Sequence, residues 1–400
     1  MLSALALSAL ALTGAAVAQN TATSTADVLA AKATAKTESP TSHVPGRAFD
    51  RFVVLWCENT DYSAAMNDPN FAWLASKGIT LNNYFGVTHP SEPNYVASIS
   101  GDNFGMDNDN FNQVAGNVST VVDLLEDRGI SWSTYQEDMP YSGFEGFSWV
   151  DAAGKNDYVR KHDPPVIFNA NVQTDRLAKI KNFTMFNEDL KNNKLPQWMF
   201  ITPNMTNDGH DSSVTVAGKF VRNFMEPLLN NTNFMQKTAV LITFDENHTY
   251  TVGNRVFSIL LGDAIPSNLV GTNDPQFYDH YSEISTVEAN WGLNTLGRWD
   301  VGANVFQFVA DKTGDKNTEW PALTGSTPTR FLNQSFAGPF NSVKNNVSYP
   351  VPNSLLIKNG RIVRPEVTLQ WGLKELQQRS YYQNTVEIPD GLNPPAGWAN

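Results

Sequence analysis

Four polar segments carry the residue types that chemistry at a cation or a phosphate needs. Glu58-Asn59 follows the apolar run Phe52 to Trp56, and Thr88-His89-Pro90-Ser91-Glu92-Pro93-Asn94-Tyr95 follows the extended stretch Ile79 to Gly86. Asn204, Asp208, Gly209, His210 and Asp211 come after Trp198 to Ile201, and Asp245-Glu246-Asn247 come after Ala239 to Ile242. Carboxylates that converge on one place repel unless protons or a cation compensate them. Glu58, Asn59, Asp245 and Glu246 are hard oxygen donors, so a divalent cation can take these four and keep positions for a hydroxyl and a substrate oxygen. From spacing alone the same acids also read as helix caps or solvated loop charges.

Ser91 opens a predicted helix that runs to Ser100 and is closed by Gly101, with Pro93 in its first turn. The start of such a helix offers free N–H groups that suit an anion such as phosphate. Ser91 therefore reads either as an N-cap or as a nucleophile. A metal beside it favours the second role, because coordination lowers the pKa of a hydroxyl without a histidine base. Of the six histidines, His162, His210 and His280 sit in polar loops beside acids; His43 and His248 are set aside.

The elements that must position these residues are legible in the apolar pattern. Phe52 to Trp56, Trp198 to Ile201, Ala239 to Ile242 and Val256 to Leu261 read as strands buried on both faces. Amphipathic stretches such as Thr120 to Asp127 and Val214 to Leu229 lie between them. Alternation of this kind predicts an α/β fold, a sandwich around a largely parallel sheet, whose ligands sit at the carboxyl ends of the strands. The expected organisation is a signal peptide at 1–18, a flexible leader or propeptide at 19–47, the main α/β domain at 48–315 and a C-terminal extension at 316–400. In that extension Pro365 to Gln378 reads as a helix, packing on the core through Leu369, Leu373 and Leu376.

Composition narrows the setting. The chain has 400 residues, 41% hydrophobic and 17% charged, with a net charge of 28 − 40 = −12. Such a surface repels nucleic acid, which excludes that class of partner. One cysteine, Cys57, excludes an intrachain disulfide. The run Leu2 to Leu12 followed by Ala16-Val17-Ala18 is a secretory signal with cleavage before Gln19, too short for the ~20 residues of a spanning helix. No membrane insertion is expected. Sequons at Asn117, Asn182, Asn230, Asn333 and Asn346 predict N-linked glycans, whereas those at Asn204 and Asn247 lie inside the polar motifs and are expected bare.

Taken together, the motifs resemble the secreted acid phosphatases of fungi and their bacterial relatives, a phosphoesterase family that also includes bacterial phospholipases C. The resemblance spans about Phe52 to Phe308. It rests on Glu58-Asn59, His89-Pro-Ser-Glu-Pro-Asn-Tyr95, Lys161-His162-Asp-Pro-Pro165, Asp208-Gly-His210, Phe244-Asp-Glu-Asn247 and Asp279-His-Tyr-Ser282. It implies an alkaline phosphatase-like three-layer α/β/α sandwich. It also implies a divalent metal held by Glu58, Asn59, Ser91, Asp245 and Glu246, with Ser91 as nucleophile and His162 and His210 on the phosphoryl oxygens. His89, Asn94, Asp208 and His280 remain for phosphate contacts or a second ion, so metal identity and number stay open.

The activity implied is hydrolysis of small phosphate monoesters through a phosphoserine, outside the cell and in the service of phosphate scavenging. The alternatives are a phosphodiesterase or phospholipase C of the same family, or a secreted glycoprotein that keeps the fold without catalysis. Histidine cations beside a phosphate dianion predict a bell-shaped rate profile with its maximum at about pH 5 to 6.

Overall fold

Runs of β-branched and aromatic residues become the centre of a sheet because they tolerate burial on both faces. In the computed structural model, which describes residues 24–150, 154–323, 328–395 and 398, nine strands form that sheet. They are β1 Arg51–Cys57, β2 Gly78–Phe85, β3 Trp132–Gln136, β4 Ile180–Asn182, β5 Trp198–Thr202, β6 Thr238–Phe244, β7 Arg255–Leu261, β8 Thr272–Asp274 and β9 Tyr278–Asp279. Their order is β8-β2-β7-β6-β1-β5-β3-β4, with β9 also beside β2. Every residue of β6 is buried, as is β1 from Phe52 onward. The signal segment expected at 1–18 lies outside the described residues.

Helices cover both faces and make three layers. The helices named below are α1 Thr25–Lys32, α2 Pro69–Ala75, α3 Ser91–Ser100, α4 Val121–Asp127, α5 Val214–Leu228, α6 Tyr281–Trp291 and α7 Pro365–Glu375. On one face the Trp56 ring packs at a tilt, 4.6 Å from Tyr95 of α3 and 4.2 Å from His280, just before α6. On the other, Phe71 of α2 lies 5.3 Å from Phe244 of β6, and α5 packs over α2. The buried residues Ala217, Gly218, Val221, Met225 and Leu228 make one stripe of α5. Gly218 is required there, since a Cβ would stand 2.5 Å from Asp68 Oδ1.

Parallel pairing in register sets up the site. β1 pairs with β6 so that Cys57 lies opposite Phe244, and with β5 so that Leu55 lies opposite Ile201. The residues that follow these strands therefore emerge side by side. The departure from an all-parallel arrangement is β7, antiparallel to both β6 and β2. The connection 245–254 is shorter than the dozen or so residues that a parallel crossover needs, so the chain must turn back as a hairpin. The carboxyl end of β7 consequently faces away from the site. Because β2 is antiparallel to β7, it runs with β6, and its carboxyl end delivers Ser91 to the same edge.

Two expectations fail at the ends of the chain. The stretch read as a flexible leader carries α1 and then an extended segment bound to the connections that precede β4 and β5: Glu38 N donates to Ala178 O at 2.8 Å, and Val44 N and Ser42 Oγ donate to Gln197 Oε1 at 2.8 and 2.6 Å. Its Thr, Ala and Ser content hides backbone and hydroxyl bonds that only a neighbour reveals. In the C-terminal extension, α7 docks through Val367 and Trp371, whose Nε1 donates to Asn117 O at 3.2 Å. Leu369, Leu373 and Leu376 are 84%, 78% and 85% exposed instead. Leu369 is two residues from Val367, about 200° round the helix, so a leucine stripe and a docked stripe occupy opposite faces.

This docking predicts a divergent mutational response, readable by chemical denaturation. Trp371→Ala should cost about 3 to 5 kcal/mol, while Leu369→Gln and Leu373→Gln should each stay within about 0.5 kcal/mol of the native protein. Equal losses at the two faces would contradict the docking.

Candidate active site

Four strand ends deliver the polar residues to one point. Glu58 and Asp245 follow neighbouring parallel strands, and the ladder continues past them: Glu58 N donates to Asp208 O at 3.0 Å and Asp245 N to Cys57 O at 3.1 Å. Asn59 takes a left-handed backbone conformation, φ 39°, which turns its N–H to Asp245 Oδ1 at 3.2 Å. Ser91 Oγ donates to Glu58 Oε2 at 3.0 Å and lies 3.5 Å from Glu246 Oε1. Ser91 is the first residue of α3, with Pro90 at the N-cap position, so it does not cap the helix. Glu58, Asn59, Ser91, Asp245 and Glu246, the expected metal set, thus lie together.

Burial dominates the electrostatics. It pushes the carboxyls of Asp208, Asp245 and Glu246 well above the usual carboxylate range, and the neighbouring carboxylates push the same way. Glu58 is raised more modestly, because Lys161 and a short hydrogen bond from the Tyr95 hydroxyl oppose its burial. An arrangement of acids that holds protons against its own repulsion is one that a cation can occupy in their place.

Two features show that a cation fits. The end of the Asn59 amide that faces the acids lies 3.2 Å from Glu58 Oε2, 3.2 Å from Glu246 Oε1, and 3.1 and 3.3 Å from the two Asp245 oxygens. With protons alone there, that end is the nitrogen; turned over, its oxygen joins the others. Oxygens bound about 2.2 Å from one ion in an octahedral array stand about 3.1 Å apart, matching this spacing. In addition, Glu58, His162 and Asp208 present ligand atoms within 4.8 Å of one another, all buried. His162 Nε2 stands 3.2 Å from Glu58 Oε1 and His162 Nδ1 3.6 Å from Asp208 Oδ2, and His162 Nε2 and Asp208 Oδ2 have no hydrogen-bond partner among the described residues. Glu58 bridges the two groups through its two oxygens.

The histidines divide between buried positions and the mouth of the site. Burial first, then Lys161, hold His162 well below the usual imidazole range, so it is neutral in mild acid and suited to ligate rather than to neutralise phosphate. His89 is brought down to about 4 by burial; its Nδ1 bonds Glu246 Oε2 and its ring stacks on Tyr250 at 3.7 Å, so it orients a site acid. His280 is buried beneath the site, where Nε2 donates to the Asp245 carbonyl at 2.5 Å and Nδ1 lies 3.9 Å from Glu283, leaving no face for substrate. Asn94 is spent on its own turn: Oδ1 accepts from Val87 N at 2.8 Å and Nδ2 donates to Thr88 O at 2.9 Å. His210 stands at the mouth, its Nδ1 2.7 Å from Asp211 and its side chain 30% exposed. Gly209, φ 105°, turns the chain so that His210 N donates to Asp208 Oδ1.

Several neighbours escaped the sequence reading. Lys161 Nζ lies 3.0 Å from Asp109 Oδ2 and 3.5 Å from Ser91 Oγ. Asp109 belongs to an Asn- and Asp-rich loop with no strand before it, and no spacing in the sequence marks it. Tyr95, one helical turn after Ser91, was visible in its motif but not assignable.

The raised carboxyl pKa values dictate how a cation binds. Bound ions require deprotonated ligands, so uptake must expel protons and strengthen with pH. The rise in Tm given by a divalent cation over chelator should therefore grow between about pH 4.5 and 7, and Asp245→Asn should blunt it. Absence of any Tm response to divalent ions across that range would refute the cation site.

Comparison with known proteins agrees with the geometry. A profile described as Phosphoesterase family matches residues 50–294. A protein of Aspergillus fumigatus named acid phosphatase is 53% identical over 320 residues, 79% of this chain and 70% of its own. A phosphate-repressible acid phosphatase of Penicillium chrysogenum is 53% identical over 329 residues, 82% of this chain and 78% of its own. An Aspergillus niger acid phosphatase is 46% identical over 347 residues, 85% of this chain and 82% of its own. With the match covering every segment that reaches the sheet edge, the chain belongs to the phosphoesterase family.

Proposed function

We propose that this protein is a secreted acid phosphatase that hydrolyses small phosphate monoesters through Ser91 and a phosphoserine intermediate. The observation that carries the reading is Ser91 Oγ, 3.0 Å from Glu58 Oε2 and 3.5 Å from Lys161 Nζ, at an edge of buried acids whose donors suit a divalent cation. The named activity of the fungal relatives supports the same reading. One of them is named as phosphate-repressible, which suits an enzyme that releases phosphate for uptake.

Glu58, Asn59, Asp245 and Glu246 would hold the cation, with His162 and Asp208 as donors on the other side of Glu58. When bound, the ion supplies charge for the phosphoryl oxygens and lowers the pKa of a hydroxyl it touches. Ser91 gives its proton along its bond to Glu58 Oε2. The Oγ–P bond then forms as the ester P–O bond breaks in line, and the leaving oxygen takes a proton from water at the open mouth. The hydroxide left by that transfer attacks phosphorus, the Oγ–P bond breaks, and Ser91 Oγ recovers its proton from Glu58 as phosphate leaves.

Export and glycosylation belong to the same proposal. Asn117, Asn230 and Asn346 are exposed and fit glycan acceptors, whereas Asn333 Nδ2 donates to Tyr250 O at 2.7 Å and to Val252 O, leaving it poorly placed. Asn182 Nδ2 is likewise engaged by Met139 O. Asn247 is buried and Asn204 Nδ2 donates to Asp138 Oδ2 at 2.6 Å, in line with bare sequons at both.

Ser91→Ala tests the nucleophile. Aryl phosphate turnover should fall by several orders of magnitude while the fold and the Tm response to divalent cation persist. Acid-quenched native enzyme should carry label from a labelled phosphate ester on Ser91. A variant retaining more than roughly a tenth of kcat would exclude the covalent route.

A further inference from the structure

We infer that Lys161 is a further catalytic residue, the cation that holds the transferring phosphoryl group against Ser91, and that Asp109 is the positioning residue that sets it there. This rests on the reading of Ser91 as nucleophile. Phosphoryl transfer spreads negative charge over the equatorial oxygens and needs positive charge from the side that the metal does not serve. The other cationic side chains nearby have other partners: His162, His89 and His280 as described above, His210 at the mouth with Asp211, and Arg160 with the Asn112 and Val166 carbonyls. The first turn of α3 is short of donors: Pro93 has no N–H, and the Glu92 N–H is taken by Asp109 Oδ1 at 2.9 Å.

Lys161 faces the buried acids, and its burial is outweighed by the charge of Glu58, with that of Asp109 and Asp245, which keeps it cationic. Its contact ion pair among the described residues is nevertheless with Asp109 and with none of the four acids. Asp109 makes two bonds at once, one oxygen on the first turn of α3 and the other 3.0 Å from Lys161 Nζ. The lysine is thereby tied to the helix that carries Ser91, and the distance between nucleophile and cation becomes a property of one rigid unit. An ammonium has three donors. One is directed to Asp109 and one lies 3.5 Å from Ser91 Oγ; the third has no partner among the described residues and is available to a phosphoryl oxygen.

The test is a double-mutant cycle on the full chain at saturating divalent cation, with an aryl phosphate as substrate and inorganic phosphate as inhibitor. Lys161→Met should lower kcat/KM by about a hundredfold or more and weaken inhibition by phosphate at least several-fold, with circular dichroism and the Tm response to the cation retained. Lys161→Arg should recover much of the loss. Asp109→Asn keeps an acceptor for the Glu92 N–H but loses the charge that holds the lysine, so it should reduce kcat/KM about tenfold. Combined with Lys161→Met it should add almost nothing, since a positioning residue has no effect once its client is gone. Lys161→Met within about threefold of native, or additive losses in the double variant, would overturn the inference. If Lys161→Met fails to fold, the Arg and Asn variants alone decide through phosphate inhibition. An inactive Ser91→Ala beside an unaffected Lys161→Met would sink this inference alone; an active Ser91→Ala would sink the nucleophile reading on which it rests.

Discussion

Mutual repulsion among buried carboxylates governs this molecule. Glu58, Asp208, Asp245 and Glu246 are each fully buried, and burial alone already disfavours their charged forms. Neutral donors such as the Tyr95 hydroxyl and the Asn59 N–H relieve only part of that cost, and protons or positive charge must meet the rest. The fold accepts it because the backbone leaves no choice. With β1 and β6 paired so that Cys57 faces Phe244, the next residue on each strand must be adjacent, and both are acids. The energetic conflict is therefore built into the register of the central strands, and a bound ion is its natural resolution.

The surrounding layer is organised to keep those acids in place. Tyr95 fixes one oxygen of Glu58, and the His89 ring, stacked on Tyr250, fixes one oxygen of Glu246. Beneath Asp245 a buried chain runs from its carbonyl through His280 towards Glu283, which accepts from Trp56 Nε1 at 3.0 Å and Tyr84 OH at 2.9 Å. These partners come from β1, β2, α3, α6 and the connections that carry His89, Tyr250 and His280. Orientation of the donors is thus a property of the whole sandwich, as expected where ligand geometry depends on the groups behind the ligands.

The C-terminal extension joins this scaffold rather than standing apart. Tyr382 and Tyr381 donate to Asp102 Oδ2 at 2.5 and 3.2 Å, just beyond the helix that begins at Ser91, and Arg361 clasps Asp315 with two nitrogens at 3.1 and 2.7 Å. Loss of the contacts to Asp102 would loosen the far end of the helix that begins at Ser91. Support for the site therefore reaches beyond residues 50–294, the span of the family match.

The central strands β1, β5, β6 and β7 and the polar residues at the sheet edge were legible in the sequence, because burial on both faces leaves unbroken apolar runs and the acids of β1 and β6 follow them directly; the short strands β3, β4, β8 and β9 were not. What the sequence could not show is anything that depends on a partner from elsewhere in the chain. The reversal of β7, the docked face of α7 and the anchoring of residues 33–46 follow from connection length, helix phase and neighbouring backbone. The roles of the histidines were likewise decided by tertiary structure: the same polar loop motif left His210 at the mouth, buried His280 under the sheet edge and made His162 neutral between two acids. Lys161 stood in plain sight within its motif, but its meaning came from Asp109, more than fifty residues away, which binds it to the helix of Ser91. Local pattern determines what a segment becomes, while the charge and orientation of a buried side chain are set by whatever the fold brings beside it.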